Sequence, residues 1–201
     1  ATERVGLAVA AAGGKIYAIG GGTVDETAVA TVEAFDPQLG AWAEVASMSV
    51  KRMYHAAAVV DGKIYAIGGY DDDDDNLDSV EVYDPQADNW QQVAPMPRTR
   101  CMHAAAAMGG KIYVSGGDTE DENVTTNVVV FDPQTNTWTQ LASMGTARKS
   151  HTSAAIGGKL YVFGGVTDGG GRTASVEAYD PISNTWAHVS ELTSTQTELV
   201  S

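Results

Sequence analysis

Gly62-Lys63-Ile64-Tyr65-Ala66-Ile67-Gly68-Gly69 is a short apolar run closed by two glycines, and variants of it stand at residues 14–21, 110–117 and 158–165. The lysines at 15, 63, 111 and 159 are 48 residues apart each time. The same spacing holds for Asp36-Pro37, Asp84-Pro85, Asp132-Pro133 and Asp180-Pro181, and for Trp42, Trp90, Trp138 and Trp186. Self-similarity at a fixed period of this length marks a stacked array of like units. The units run approximately over residues 1–48, 49–96, 97–144 and 145–192, which leaves a polar tail at 193–201.

Working outward in the second unit, residues 55–60, 63–67, 79–83 and 90–93 read as short strands rich in β-branched and aromatic residues and bounded by turn formers. Asp61-Gly62 between the first two is a hairpin signal, because both residues tolerate the positive φ of a two-residue turn. Between the third and fourth, Pro85 presets φ and the side chains of Asp84, Asp88 and Asn89 can bond nearby backbone. Each unit is therefore an antiparallel four-stranded meander in which no helix is required. The first unit opens at a strand over residues 5–10, and the fourth closes on one over 186–189. The paired glycines follow the second strand, where a missing side chain lets backbones approach closely. Tyr17, Tyr65, Tyr113 and Tyr161, with the repeated tryptophans, are expected to pack neighbouring sheets together.

The doubled glycine, the tyrosine four residues before its second member, the Tyr/Phe-Asp-Pro phrase and the tryptophan six residues after that aspartate resemble Kelch repeats. The resemblance covers about residues 4–192. It implies a β-propeller of four-stranded blades around a channel. Kelch propellers usually have five to seven blades, and this chain supplies four. An open arc leaves two apolar flanks bare. At about 25 cal/mol/Å² and on the order of 400 Å² each, they forfeit roughly 20 kcal/mol, more than a domain's usual net stability. Three arrangements answer this: a closed four-bladed ring, two chains forming a homo-dimer that completes a larger propeller, or a piece of a longer protein. In register, the tail begins a fifth unit but has Gln196 where the others have arginine. The uniform spacing is what recent duplication or engineering would leave.

The chain has 201 residues, 43% of them hydrophobic, enough for a sizeable core. The sequence has no apolar run of the roughly 20 residues that a membrane helix needs, and no charged-then-apolar leader. One cysteine, Cys101, allows no internal disulfide and favours a reducing, cytoplasmic setting. A formal net charge of -14 argues against nucleic acid, whose phosphates require a basic surface.

Arg4, Arg52, Arg100 and Arg148 also recur at 48, each just before a first strand, where propeller symmetry would set them around one rim. With Lys51, Arg98 and Lys149 they make up seven of the 12 lysines and arginines. A forked guanidinium suits carboxylate or phosphate groups. The loops between second and third strands open at the same end and are acidic: Asp25-Glu26, residues 71–75, Asp118 with residues 120–122, and Asp168. The expected face is a basic inner ring within an acidic fringe, selecting a partner of complementary charge. In Kelch-like adaptors of ubiquitin ligases, arginines at this position help bind acidic peptide segments, and Arg4-Val5-Gly6 is similar to that pattern. The BTB and BACK portions of such adaptors are not in this sequence, so the resemblance implies no ligase membership.

Other residues read as structural. His55, His103 and His151 repeat at 48 with Leu7 in the fourth place, and copies on separate blades stand too far apart to share one metal ion. The aspartates of 71–75 lack the spaced ligands and the glycine of a calcium loop. Cys101 shares its register with Val5, Met53 and Lys149, which suits a strand edge. Residues 169–173 lack the lysine and helix of a phosphate loop. Asn123-Val124-Thr125 is a glycosylation pattern that matters only in a secreted chain. The function expected from all this is non-catalytic binding of a protein or peptide with acidic groups, with no cofactor, nucleic acid or membrane. Its rivals are a carbohydrate-acting enzyme like the Kelch-family sialic acid mutarotases and a self-assembling scaffold with no natural ligand.

Overall fold

A computed structural model of the chain describes residues 3–73, 75–120 and 123–193. The expected tail lies outside these except for residues 193 and 192 before it, as do Asp74, Asp121 and Glu122 of the acidic loops. The structure is all-β. Its first sheet is β1 (Ala8–Ala12), β2 (Lys15–Ile19), β3 (Val32–Asp36) and β4 (Ala41–Val45), and its second is β5 (Ala56–Val60), β6 (Lys63–Ile67), β7 (Val80–Asp84) and β8 (Asn89–Val93). The third is β9 (Ala104–Met108), β10 (Lys111–Ser115), β13 (Val128–Asp132) and β14 (Thr137–Gln140), with a small hairpin, β11 (Asp118–Thr119) and β12 (Asn123–Val124), inserted after β10. The fourth is β15 (Thr152–Ile156), β16 (Lys159–Phe163), β17 (Ser175–Asp180) and β18 (Thr185–Glu191). All neighbours in the four large sheets are antiparallel and, apart from β10 and β13 on either side of the inserted hairpin, consecutive, the meander that the turn chemistry predicts.

Three details differ from the sequence reading. First strands begin at Ala8 and Ala56 rather than at 5 and 55, because Gly6 and Tyr54 adopt φ of +59° and +51°, which ends the extended run. The last strand is longer than 186–189 and carries a bulge at Val189, opposite Val176 and Glu177. A single 3-10 turn forms at Asp168–Gly170, where Gly169 and Gly170 both reach φ +81°.

The chain forms two compact units, Ala1–Cys101 and Met102–Ser201, each holding two of the sheets. In the first unit, Ala10, Tyr17, Ile19, Val32 and Met48 of the first sheet and its exit meet Ile64, Ala66 and Tyr83 of the second. In the second unit, Ala106, Tyr113, Val128 and Met144 meet Leu160, Val162 and Tyr179 in the same way. Tyr17 pairs across β1 and β3 with Ala10 and Ala34, and these small neighbours leave room for its ring to lie against Tyr83 at 5.6 Å between centroids. The Tyr113 and Tyr179 rings repeat the contact at 6.1 Å. Aromatic pairs at such distances add about 0.5–1.5 kcal/mol beyond the area they bury.

The tryptophans act as clamps between sheets. Trp90 Nε1 donates to Ala46 O at 2.9 Å, and Trp186 Nε1 to Ala142 O at 2.8 Å, so each outer strand holds the chain leaving the sheet before it. Asp88 Oδ1 accepts from the Ala46 amide at 2.8 Å and from the Tyr83 hydroxyl at 2.7 Å. Burial and that carboxylate push the Tyr83 phenol well above its ordinary pKa. Among the described residues, no helix is long and apolar enough to cross a membrane.

The glycine pair has a steric cause. A Cβ on Gly20 would stand 2.6 Å from Arg52 O and 2.9 Å from His55 Cε1, and one on Gly69 would stand 2.6 Å from Met53 O and 2.8 Å from His55 Cβ. The imidazole of His55 is wedged between the two glycines. Gly20 and Gly13 have nearly the same φ, +55° and +56°, but Gly13 has nothing within 4 Å of its Cβ position. Gly13→Ala is therefore expected to cost only the left-handed strain of about 1–2 kcal/mol. Gly20→Ala adds the overlap and is expected to cost about 3 kcal/mol or more by urea unfolding. Equal losses in the two variants would show that backbone conformation, not the close approach, demands the glycine.

Candidate functional site

Two kinds of loop are laced together at one end of each sheet. The Met53 and Tyr70 backbones exchange hydrogen bonds of 3.0 Å, Val5 and Gly22 bonds of 2.9 and 2.8 Å, and Lys149 and Val166 bonds of 2.9 and 2.8 Å. The segment that enters a sheet and the loop between its second and third strands thus form one rim. Gly21 N donates to Arg52 O at 2.9 Å, which ties the rim of the first sheet to that of the second.

The arginines lie beneath this rim rather than on it. Arg52 and Arg148 have 0% exposure, and the Arg4 side chain has 2%. Arg52 Nη1 donates to Gly68 O at 2.7 Å and Ser79 O at 3.1 Å, while Nη2 reaches Ser79 Oγ and Glu81 Oε1, each at 3.1 Å. Arg148 repeats the set with Gly164 O, Ser175 O, Ser175 Oγ and Glu177 Oε1 at 2.8, 3.0, 2.6 and 2.6 Å. Arg4 does so with Gly20 O at 2.8 Å, Thr31 O at 2.9 Å and Glu33 Oε2 at 2.6 Å. Arg100 is equally buried, and its own amide donates to Leu77 O at 3.1 Å. The guanidiniums of Arg4, Arg52 and Arg148, expected to meet a ligand, are committed to the sheets' own carbonyls and carboxylates.

Each glutamate completes the arrangement. Glu81 Oε2 accepts from Ser49 N at 2.8 Å and Ser49 Oγ at 2.7 Å, and Oε1 from Val50 N at 3.1 Å. Glu177 accepts from Gly145 N at 2.6 Å and Thr146 N at 3.1 Å. Each of these carboxylates thus has its lone pairs matched by several donors, which is what a buried polar group requires. Sequence reading missed these glutamates, although Glu33, Glu81 and Glu177 keep the period of 48 and Val129 alone breaks it. The signal was hidden because a glutamate on a strand reads as a solvent-facing residue.

The outer cations are also engaged. Lys51 Nζ stands 2.8 Å from Asp72 Oδ2, and Asp72 Oδ1 accepts from Ala28 N at 2.6 Å. The Lys51 hydrogen bond holds the Asp72 carboxyl below the usual range. Lys149 pairs with Asp118, and Arg98 is exposed. On the rim of the first unit, Asp25, Glu26, Asp73 and Asp75 face solvent. Asp71 Oδ1 accepts from Asp73 N at 3.0 Å, so this carboxylate caps its own turn. Beside these acids Tyr54 and Tyr70 stack at 5.4 Å with ring planes 15° apart. Tyr54 is 36% exposed and holds φ +51°, a strained conformation for a bulky residue. Its register-mates Gly6, Met102 and Ser150 hold φ of +59°, +52° and +50°, so the backbone conformation recurs in every sheet and only the aromatic side chain is particular to this one.

The histidines serve packing, as their spacing suggested. His151 Nε2 lies 3.0 Å from Ser115 Oγ, whereas the matching residue for His55 is Ile19 and neither ring nitrogen of His55 has a hydrogen-bond partner among the described residues. Burial, then the nearby Arg148 charge, lowers the His151 pKa to about 3. Burial followed by Arg52 and Arg4 holds His55 well below its ordinary value. Among the described residues, no group of three or more His, Cys, Asp or Glu is placed to hold a metal ion. Cys101 is buried, and Asn123 of the glycosylation pattern stands in the β11–β12 hairpin. In the second unit, Trp186, His188, Asn184 and Glu177 line a cleft of about 490 Å³ against residues 142–146, but its carboxylate is the one already bound to Arg148.

The family model described as the KLHDC2/KLHL20/DRC7 Kelch-repeats domain matches residues 1–147 and 54–198. Among curated proteins none matches the chain.

Removing Glu81 leaves the Arg52 charge buried without its carboxylate. Glu81→Ala is expected to cost about 3–5 kcal/mol in denaturant unfolding. Adding Arg52→Ala to it is expected to cost less than the two single losses together, and strict additivity would show that the pair is not coupled. Stability should also fall with acid. The folded pKa of His151 lies near 3, below the 6.5 of the unfolded chain, so between those values unfolding takes up a proton. Each such histidine removes stability at up to about 1.4 kcal/mol per pH unit as pH falls through that window. His151→Gln should flatten the profile of melting temperature between pH 6.5 and 4, and an unchanged slope would place the acid sensitivity elsewhere.

Proposed function

The chain belongs to the Kelch-repeat domain family, and from that premise we propose that it binds a protein or peptide on the rim of its first unit. Kelch repeats generally act as protein-interaction modules and are typically non-catalytic scaffolds. The observation that carries the proposal is the partly exposed Tyr54 stacked on Tyr70, an aromatic pair that does not recur in the other sheets, on the rim that also exposes Asp25, Glu26, Asp73 and Asp75. Aromatic residues held at low conformational cost are the usual anchors of an interface, and surrounding carboxylates steer a partner of opposite charge. A basic segment fits such a rim, its cations meeting the exposed carboxylates.

An acidic peptide, the partner expected from an arginine ring, would have to compete with Glu33, Glu81 and Glu177 for guanidiniums that are already buried and bonded. A sugar-acting enzyme would draw on His55, His151 and the same arginines, all of which are buried. Of the cations in the acidic-peptide reading, the exposed ones are Arg98 and Lys51, and Lys51 is paired with Asp72.

Peptides graded from Asp/Glu-rich to Lys/Arg-rich, titrated by fluorescence anisotropy, test this reading. Binding is expected in the basic set, weakening with salt. Tyr54→Gly removes the ring while relieving the positive φ, so it should weaken binding about tenfold or more, the cost of losing an aromatic anchor, with an unchanged circular dichroism spectrum and only a modest fall in melting temperature from the lost stack on Tyr70. Selection of the acidic set would return the arginines to the binding role and overturn the proposal.

A further inference from the structure

In each unit, one sheet's flank is covered by its neighbour. Ile64 and Tyr83 of the second sheet pack on the first and are 0% and 1% exposed, and Leu160 and Tyr179 of the fourth pack on the third with the same values. The matching flank of the first sheet is bare: Ile16, Val9 and Trp42 are 39%, 49% and 46% exposed. Trp90, the counterpart of Trp42, instead donates its indole N–H to Ala46 O. The opposite flank is bare in the fourth sheet. Ile156 is 72% exposed and Tyr161 and Phe163 are half-buried, whereas their counterparts Ala12, Tyr17 and Ile19 in the first sheet are buried against the second. Solvent-exposed apolar flanks of this kind mark interaction surfaces.

We propose that these two flanks dock on each other between two copies of the chain, the first sheet of one copy receiving the fourth sheet of the other. The occupant is argued from the packing seen in both units. Tyr161 stands in register where Tyr17 and Tyr113 stand, and both of those pack against the kind of flank that Ile16 and Trp42 present. A second copy therefore carries the matching surface, and in a reciprocal pair both flanks of each chain are covered.

Sedimentation equilibrium over a concentration series reads the assembly. The expected mass is twice the 21.0 kDa of one chain. Ile16→Glu and Ile156→Glu alter opposite flanks at exposed positions, and each alone should give one-chain particles with an unchanged circular dichroism spectrum. Mixed in equal amounts, the two variants should form a pair, because each retains the flank that the other has lost. Val9→Glu replaces Ile16→Glu if the latter unfolds. A wild-type chain that keeps the one-chain mass at every concentration overturns the proposal. A dimer that neither substitution dissociates also overturns it, as does a mixture that associates no better than its components.

Discussion

Everything near the rim depends on the buried clasp between an arginine and a glutamate 29 residues further along the chain. At a sheet's end the regular ladder stops, and its carbonyls need donors away from water. Arg52 supplies them to Gly68 and Ser79, and Glu81 supplies acceptors to the amides of Ser49 and Val50. The clasp therefore joins the second strand, the third strand and the segment arriving from the previous sheet. A buried ion pair is weak evidence for stability by itself, since desolvation offsets much of its attraction. Here the pair also satisfies backbone groups that would otherwise be left unbonded, and these are the costly omissions in a protein interior.

The same clasp explains why glycine and histidine recur beside it. Arg52 O lies where a side chain on Gly20 would stand, and the His55 ring fills the space between the two glycine pairs. An imidazole beside two buried guanidiniums is held neutral, so the histidine contributes as a flat packing group at neutral pH. Because the sheet's own architecture absorbs the cations, the exposed rim is more acidic than the arginine count suggests. The surface proposed for recognition is then carboxylates around an aromatic pair.

How far the chain could be read in advance varied with the range of the interaction. The Lys63–Ile67 strand lies where the apolar run placed it, and the turn after β7 forms as the Asp-Pro phrase implies, with Asp84 Oδ1 accepting from Gln86 N at 2.9 Å. The repeated lysine and aspartate proved to be partners, as in Lys63 and Asp84 at 3.2 Å. First strands start up to three residues later than the pattern places them, because the chain turns through a positive φ just before them, at Gly6 in the first sheet and at Tyr54 in the second. The Tyr54 and Tyr70 stack was not legible, since it joins two loops of different register and does not recur.

The sequence by itself determined the repeat length, the four-stranded meander of each unit, the turn chemistry and the packing role of the aromatics and glycines. These follow from interactions within a few residues, or from a period long enough to be counted. Only the tertiary structure decided whether an arginine before a first strand faces a ligand or a buried glutamate, and which sheet flanks remain uncovered. Those outcomes depend on distant residues brought within hydrogen-bond reach and on solvent being excluded, and a linear pattern of charges carries neither.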